Sequence, residues 1–168
     1  MNYSYLAISI TQFILYIITI ILFPYYIKNS SHYIFGNIPK KYKPLYYSGI
    51  FITFLSICYM IYYCSLEEIS NKHDITNKLL FSLYIFLSSL WAIFMIFYNS
   101  SKNKYIYHSI QAIVILYALC SLGLLINVSV INPLKTEDKV AIAASFFIAL
   151  LAIVGDAIYW LINFPKLK

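Results

Sequence analysis

Asp156 is the one charged side chain inside an otherwise apolar stretch of this chain, and any chemistry would start from it. Insertion scales put an acid at the bilayer centre at roughly 2.5 to 3.5 kcal/mol, so it asks for a compensating partner. A carboxyl group in low dielectric favours its neutral form. A neighbouring imidazole or amide could exchange protons or hydrogen bonds with it, as in proton-coupled carriers and ion pathways. Asp156 lies about eight residues from the nearest helix end. Counting the same depth along the other helices, with direction reversed for alternate ones, brings up Thr19, Thr53, Ser89 and Gln111, with His108 about one turn nearer that end. Asp156, Gln111, His108, Ser89, Thr53 and Thr19 are therefore the candidate intramembrane polar site. Two roles fit it: ion or proton coupling through Asp156, or interhelical hydrogen bonding, which contributes about 0.6 to 2 kcal/mol per contact. With a single acid and no second carboxylate in the apolar stretches, hydrogen bonding is the expected role.

Other chemistries lack their residues. A membrane hydrolase or transferase needs paired carboxylates, a serine with its histidine, or a cluster of His and Asp near the interface. Here His32, His73 and His108 are spread over two loops and a helix end. Cys58, Cys64 and Cys120 have no metal-ligand spacing, and their odd count argues no disulfide framework. The expectation is a protein that is not an enzyme and takes no metal and no cofactor.

The elements that position Asp156 are legible from hydropathy. Five apolar stretches, at about 5–27, 46–66, 79–98, 105–131 and 140–164, are each long enough to cross a hydrocarbon core about 30 Å thick as a helix. With 62% hydrophobic and 11% charged residues and a mean hydropathy of +0.77, the chain cannot wet the surface of a soluble domain. No loop between the stretches is long enough for a core of its own. The expected fold is all-α: a single membrane domain, residues 1–168, formed by a bundle of five transmembrane helices.

All 12 basic residues are lysines. Lys28, Lys40, Lys41, Lys43, Lys102, Lys104, Lys166 and Lys168 fall on one side of such a bundle with no acid among them. Lys72, Lys78, Lys135 and Lys139 fall on the other, beside Glu67, Glu68, Asp74, Glu137 and Asp138. Short loops rich in lysine stay inside, which predicts the N-terminus out and the C-terminus cytoplasmic. No basic residue precedes the first stretch, so it is expected to be retained and not cleaved as a signal peptide. Tyr25, Tyr26, Tyr42, Tyr46, Tyr47, Tyr98, Tyr105, Tyr107, Tyr159 and Trp160 map to the inner interface, and Tyr3, Tyr5, Tyr62 and Tyr63 to the outer one, as amphipathic rings prefer. Scattered lysines without arginine forks give no nucleic-acid signal. Lys28, Lys40, Lys41 and Lys43 are the candidate contacts for anionic lipid. The lipid bilayer is the expected partner, together with other membrane proteins or further copies of the chain.

Helices in lipid associate through small residues and a few hydrogen bonds. In the fifth stretch Ala141, Ser145, Ala149, Ala152 and Asp156 recur at intervals of four, four, three and four, which is one helix face. Gly49, Thr53 and Ser56 form such a face in the second, Ser82, Ser89 and Ala92 in the third, His108, Gln111 and Ala118 in the fourth, and Gln12, Tyr16 and Thr19 in the first. These faces are expected to turn inward, with Leu, Ile and Phe toward lipid. Trp91, two residues from Ser89, is expected to face lipid or the interface. Gly155 is expected to serve close packing rather than hinging.

Ser88-Ser89-Leu90-Trp91, taken with Gly155-Asp156-Ala157-Ile158-Tyr159-Trp160, resembles a pattern in small five-span membrane proteins of algae and large DNA viruses. The resemblance covers the third to fifth stretches. It implies a multi-pass protein of a host or viral membrane and implies no activity. The heavy use of Ile, Tyr, Phe, Asn and Lys agrees with an AT-rich genome. The expected function is that of a structural or interaction component of a membrane, the alternative being a small ion- or proton-coupled carrier or channel using Asp156.

Overall fold

The computed structural model describes residues 3–26, 40–66, 71–130 and 135–163. They form helices α1 (Tyr3–Tyr26), α2 (Lys43–Ser65), α3 (Asn71–Ser101), α4 (Lys104–Ser129) and α5 (Thr136–Leu150). A π-helical segment, Leu151–Trp160, continues α5 and closes with one α turn, Leu161–Asn163. No strand occurs among the described residues.

Local chemistry explains the boundaries. Pro44 sits in the first turn of α2, where its missing N–H has no partner to lose. Asn103 caps α4, its side chain accepting from the Tyr105 N–H at 2.8 Å. At the start of α5 the Asp138 carboxylate reaches back to the Lys135 N–H at 2.8 Å, the reciprocal half of a capping box. The turn between α3 and α4 is only Lys102 and Asn103 long, so those two helices are antiparallel neighbours.

α3 and α4 share the most extensive seam; α1 lies on α3, α4 lies on α5 and the π segment, α5 lies on α2, and α2 returns to α1. The helices thus close a ring in the order α1, α3, α4, α5, α2. Among the buried residues of α4, Tyr107, Ile110, Val114, Tyr117, Ser121, Leu124 and Val128 alternate three and four apart. That is the heptad spacing of knobs-into-holes packing. The small face of α5 is buried as its spacing predicts: Ala141, Ser145, Ala149 and Ala152 are all enclosed, as are Thr53 and Ser56 of α2 and Ala92 of α3. Leu15, Leu55, Phe86, Phe97, Leu119 and Ile126 are exposed on the outside of the bundle.

Four helical stretches are long and apolar enough to cross a membrane: Lys43–Ser65, Ile75–Tyr98, Lys104–Ser129 and Thr136–Tyr159. They coincide with the second to fifth expected spans. The first expected span falls on α1, a helix of 24 residues, of which Tyr5–Leu15 is the apolar part among the described residues.

Candidate functional site

Asp156 lies in the π segment, and its partners come from two other helices. Tyr46, in the first turn of α2, donates its hydroxyl to Asp156 Oδ1 at 3.1 Å. Tyr117, buried in α4, is the other phenol beside the same carboxyl group. Tyr84 of α3 packs edge-on against Tyr117, ring centroids 6.0 Å apart. A helical side chain leans toward its own N-terminus. Tyr117 therefore reaches back along α4 toward the end where Asp156 lies.

The winding of the fifth helix makes room for this. A π turn carries an extra residue over the α turn and widens the helix locally. Within it, Gly155 gives the close approach: a Cβ there would meet Leu151 Cδ1 at 3.0 Å and Tyr46 Cε2 at 3.5 Å. The packing role expected of Gly155 is thus realised against Tyr46, inside a segment whose π winding hydropathy does not encode. Gly155→Leu is expected to displace the Tyr46 ring and lower unfolding free energy by about 1 to 2 kcal/mol. Adding Tyr46→Phe to that variant should then change little, because the two residues act through one contact. Fully additive losses in a detergent unfolding titration would show that Gly155 acts elsewhere.

The same two helices are joined at their opposite ends. Tyr63 donates to Asp138 Oδ1 at 2.8 Å, with both side chains buried, and Tyr59 donates to the Glu137 carbonyl at 3.0 Å. Midway, the Thr53 hydroxyl reaches the Phe147 carbonyl at 3.4 Å. The antiparallel pair of α2 and α5 with its π extension thus carries a tyrosine–carboxyl contact at each end. A further polar seam lies between α3 and α4, where Asn127 Nδ2 donates to Asn77 Oδ1 at 2.7 Å.

Of the other residues expected beside Asp156, those whose side chains are described hydrogen-bond to other groups. Ser89 turns its hydroxyl onto the Ile85 carbonyl of its own helix at 2.9 Å. Gln111 donates to the Tyr107 hydroxyl at 3.2 Å and lies 3.0 Å from His108 Nδ1. His108 is exposed rather than turned inward. Thr19 falls in α1, and its side chain lies outside the described residues, as does all of Lys28. Lys40 opens the short 3-10 turn before α2 with its side chain also outside the described residues; Lys41 is exposed and Lys43 half-buried. Trp91 is half-buried against the core rather than facing outward.

The sequence reading missed Tyr46, Tyr117, Tyr63 and Asp138. A usable signal existed for two of them. Tyr46 precedes Gly49 by three residues and Tyr63 follows Ser56 by seven, so both continue the small face of α2. Assigning every terminal tyrosine to an interfacial belt hid that register, and matching depth by backbone position ignored the reach of a phenol.

The chain matches no family model, no curated protein and no solved structure. The chemistry is therefore read from the geometry itself. A carboxyl group that accepts from Tyr46 of α2 and lies beside Tyr117 of α4 brings three helical elements together. Among the described residues no three His, Cys, Asp or Glu side chains converge as metal ligands.

Proposed function

We propose that this chain is a five-span integral membrane protein, N-terminus out and C-terminus cytoplasmic, that serves as a non-enzymatic structural or interaction component of its membrane. The apolar character of α1 and its packing on α3 and α2 support a fifth span, and the lysine distribution supports the orientation. Its partners are the bilayer and other membrane proteins or further copies of the chain. The observation that carries the structural role is that Asp156 accepts a hydrogen bond from Tyr46 of another helix and lies beside Tyr117 of a third. That is how a buried polar group locks a bundle.

The rival reading, a small proton- or ion-coupled carrier, draws on one observation: the π segment surrounds the single intramembrane acid, and π windings recur at functional sites. The two separate in one experiment. Purified chain in liposomes under a pH gradient is compared with Asp156→Asn, whose amide oxygen still accepts from Tyr46. The structural role predicts no flux from either protein and melting temperatures within a few degrees of each other. Flux from the native chain that disappears in Asp156→Asn would overturn it in favour of the carrier.

A further inference from the structure

The turn joining α3 to α4 holds a lysine where the backbone favours glycine. Lys102 adopts φ 51°, in the left-handed region, and its N–H closes the end of α3 on the Tyr98 carbonyl at 2.8 Å. Glycine or asparagine is the usual residue in that role, because a Cβ is strained there. Lysine stands there nonetheless, with its ammonium 5.3 Å above the Tyr98 ring. Backbone strain of this kind points to a use for the side chain.

A second feature lies beside it on the first two turns of α4. Lys104, His108 and Gln111 follow at intervals of four and three, which is one helix face. Lys104 and His108 are exposed. The Gln111 amide is oriented by its donation to Tyr107, so its oxygen faces His108 Nδ1 at 3.0 Å. An amide oxygen only accepts, so this network assigns the hydrogen to Nδ1 and leaves Nε2 on the outer edge of the ring. An exposed imidazole about 6 Å into a spanning helix meets headgroups rather than acyl chains. The only carboxyl group toward this end among the described residues, Asp156, is turned to Tyr117 and Tyr46.

We propose that Lys102, Lys104 and His108 bind the phosphate of an anionic phospholipid headgroup, with Gln111 and Tyr107 fixing the imidazole. The site is separate from the lysines that precede α2. It rests on the reading that the chain spans the membrane with this end at headgroup level. The two lysines supply charge, His108 in its imidazolium form donates from Nε2 to the phosphate while Nδ1 stays with the Gln111 oxygen, and the exposed Tyr105 beside them suits the interface.

The test uses the full chain reconstituted into phosphatidylcholine nanodiscs containing a minority of phosphatidylglycerol, with native mass spectrometry counting the lipids retained after transfer to detergent. The native chain should retain phosphatidylglycerol over phosphatidylcholine. Lys104→Gln should cut that preference about fivefold, and Lys104→Gln combined with His108→Gln further. Lys102→Gly separates binding from folding: it relieves the strained backbone and should raise the melting temperature while lowering retention about fivefold. Undiminished preference in all these variants overturns the site. So does displacement of the lipid by inorganic phosphate, which would assign the residues to a free anion. A chain that fails to enter nanodiscs would defeat the spanning reading itself, whereas normal entry without lipid preference defeats this site alone.

Discussion

Ala149→Leu is expected to lower unfolding free energy by about 2 to 3 kcal/mol, because the added carbons have nowhere to go. Ala149 sits on the enclosed face of α5 between Ser145 and Ala152, with Ile148 buried beside it. That face is what lets α5 lie against α2 and α4 at once. In water a larger apolar side chain recovers part of its strain by leaving solvent. In a bilayer it recovers nothing, since lipid tails are as apolar as leucine. The control is Leu150→Ala, one residue along on the exposed side, which should change stability by no more than about 0.5 kcal/mol. Unfolding of both variants in mixed micelles checks the contrast. Equal losses would mean that α5 is not packed through its small residues.

That contrast also explains what could and could not be read from the sequence. Helix positions followed from hydropathy: the expected spans at 46–66, 79–98, 105–131 and 140–164 fall on α2 through α5, within a few residues at most ends. The buried face followed where small residues mark it, on α5 and on the Gly49, Thr53 and Ser56 stripe. It was invisible on α4, whose core side carries Ile110, Val114 and Leu124 while its outer side carries Ile115, Leu116 and Leu119. Lipid and core have the same apolar preference, so the two sides of such a helix differ little in polarity. Helix order was equally hidden: nothing local says that α2 skips α3 and returns to α1 and α5.

The polar site was half legible for a related reason. Asp156 stood out because an acid in an apolar stretch is rare. Its partners were sought among serine, threonine, glutamine and histidine, but many serine hydroxyls in helices satisfy themselves locally. Ser48, Ser56, Ser65, Ser88 and Ser89 each donate to the carbonyl four residues back. A tyrosine hydroxyl is too far from its own backbone to do so and must find a partner on another helix. Among the described residues phenols supply several of the interhelical hydrogen bonds, Tyr5 to the Lys78 carbonyl, Tyr46 to Asp156, Tyr59 to the Glu137 carbonyl and Tyr63 to Asp138, beside those of Thr53 to the Phe147 carbonyl and Asn127 to Asn77. Some of the tyrosines read as interfacial belts also hydrogen-bond one helix to another.

Of the two tyrosine–carboxyl contacts, the one at the start of α5 should matter more. Asp138→Ala is expected to lower unfolding free energy by about 3 kcal/mol, because a single carboxylate serves two purposes there. One oxygen accepts from Tyr63, which is fully enclosed; without an acceptor its buried hydroxyl would cost about 1 to 3 kcal/mol. The other oxygen holds the Lys135 N–H and places negative charge at the N-terminal end of α5, together contributing about 1 kcal/mol. Asp156 has no such capping duty, and its tyrosines lie against a π segment, so Asp156→Ala should lose about 1 to 2 kcal/mol. Tyr63→Phe resolves the two parts of the Asp138 effect. In the Asp138→Ala background it removes the orphaned hydroxyl and should recover about 1 kcal/mol, leaving the capping loss behind. Measured by unfolding titration in mixed micelles, that recovery is the sign of a direct contact. Strictly additive losses would sink the pairing and leave Asp138 as a helix cap alone.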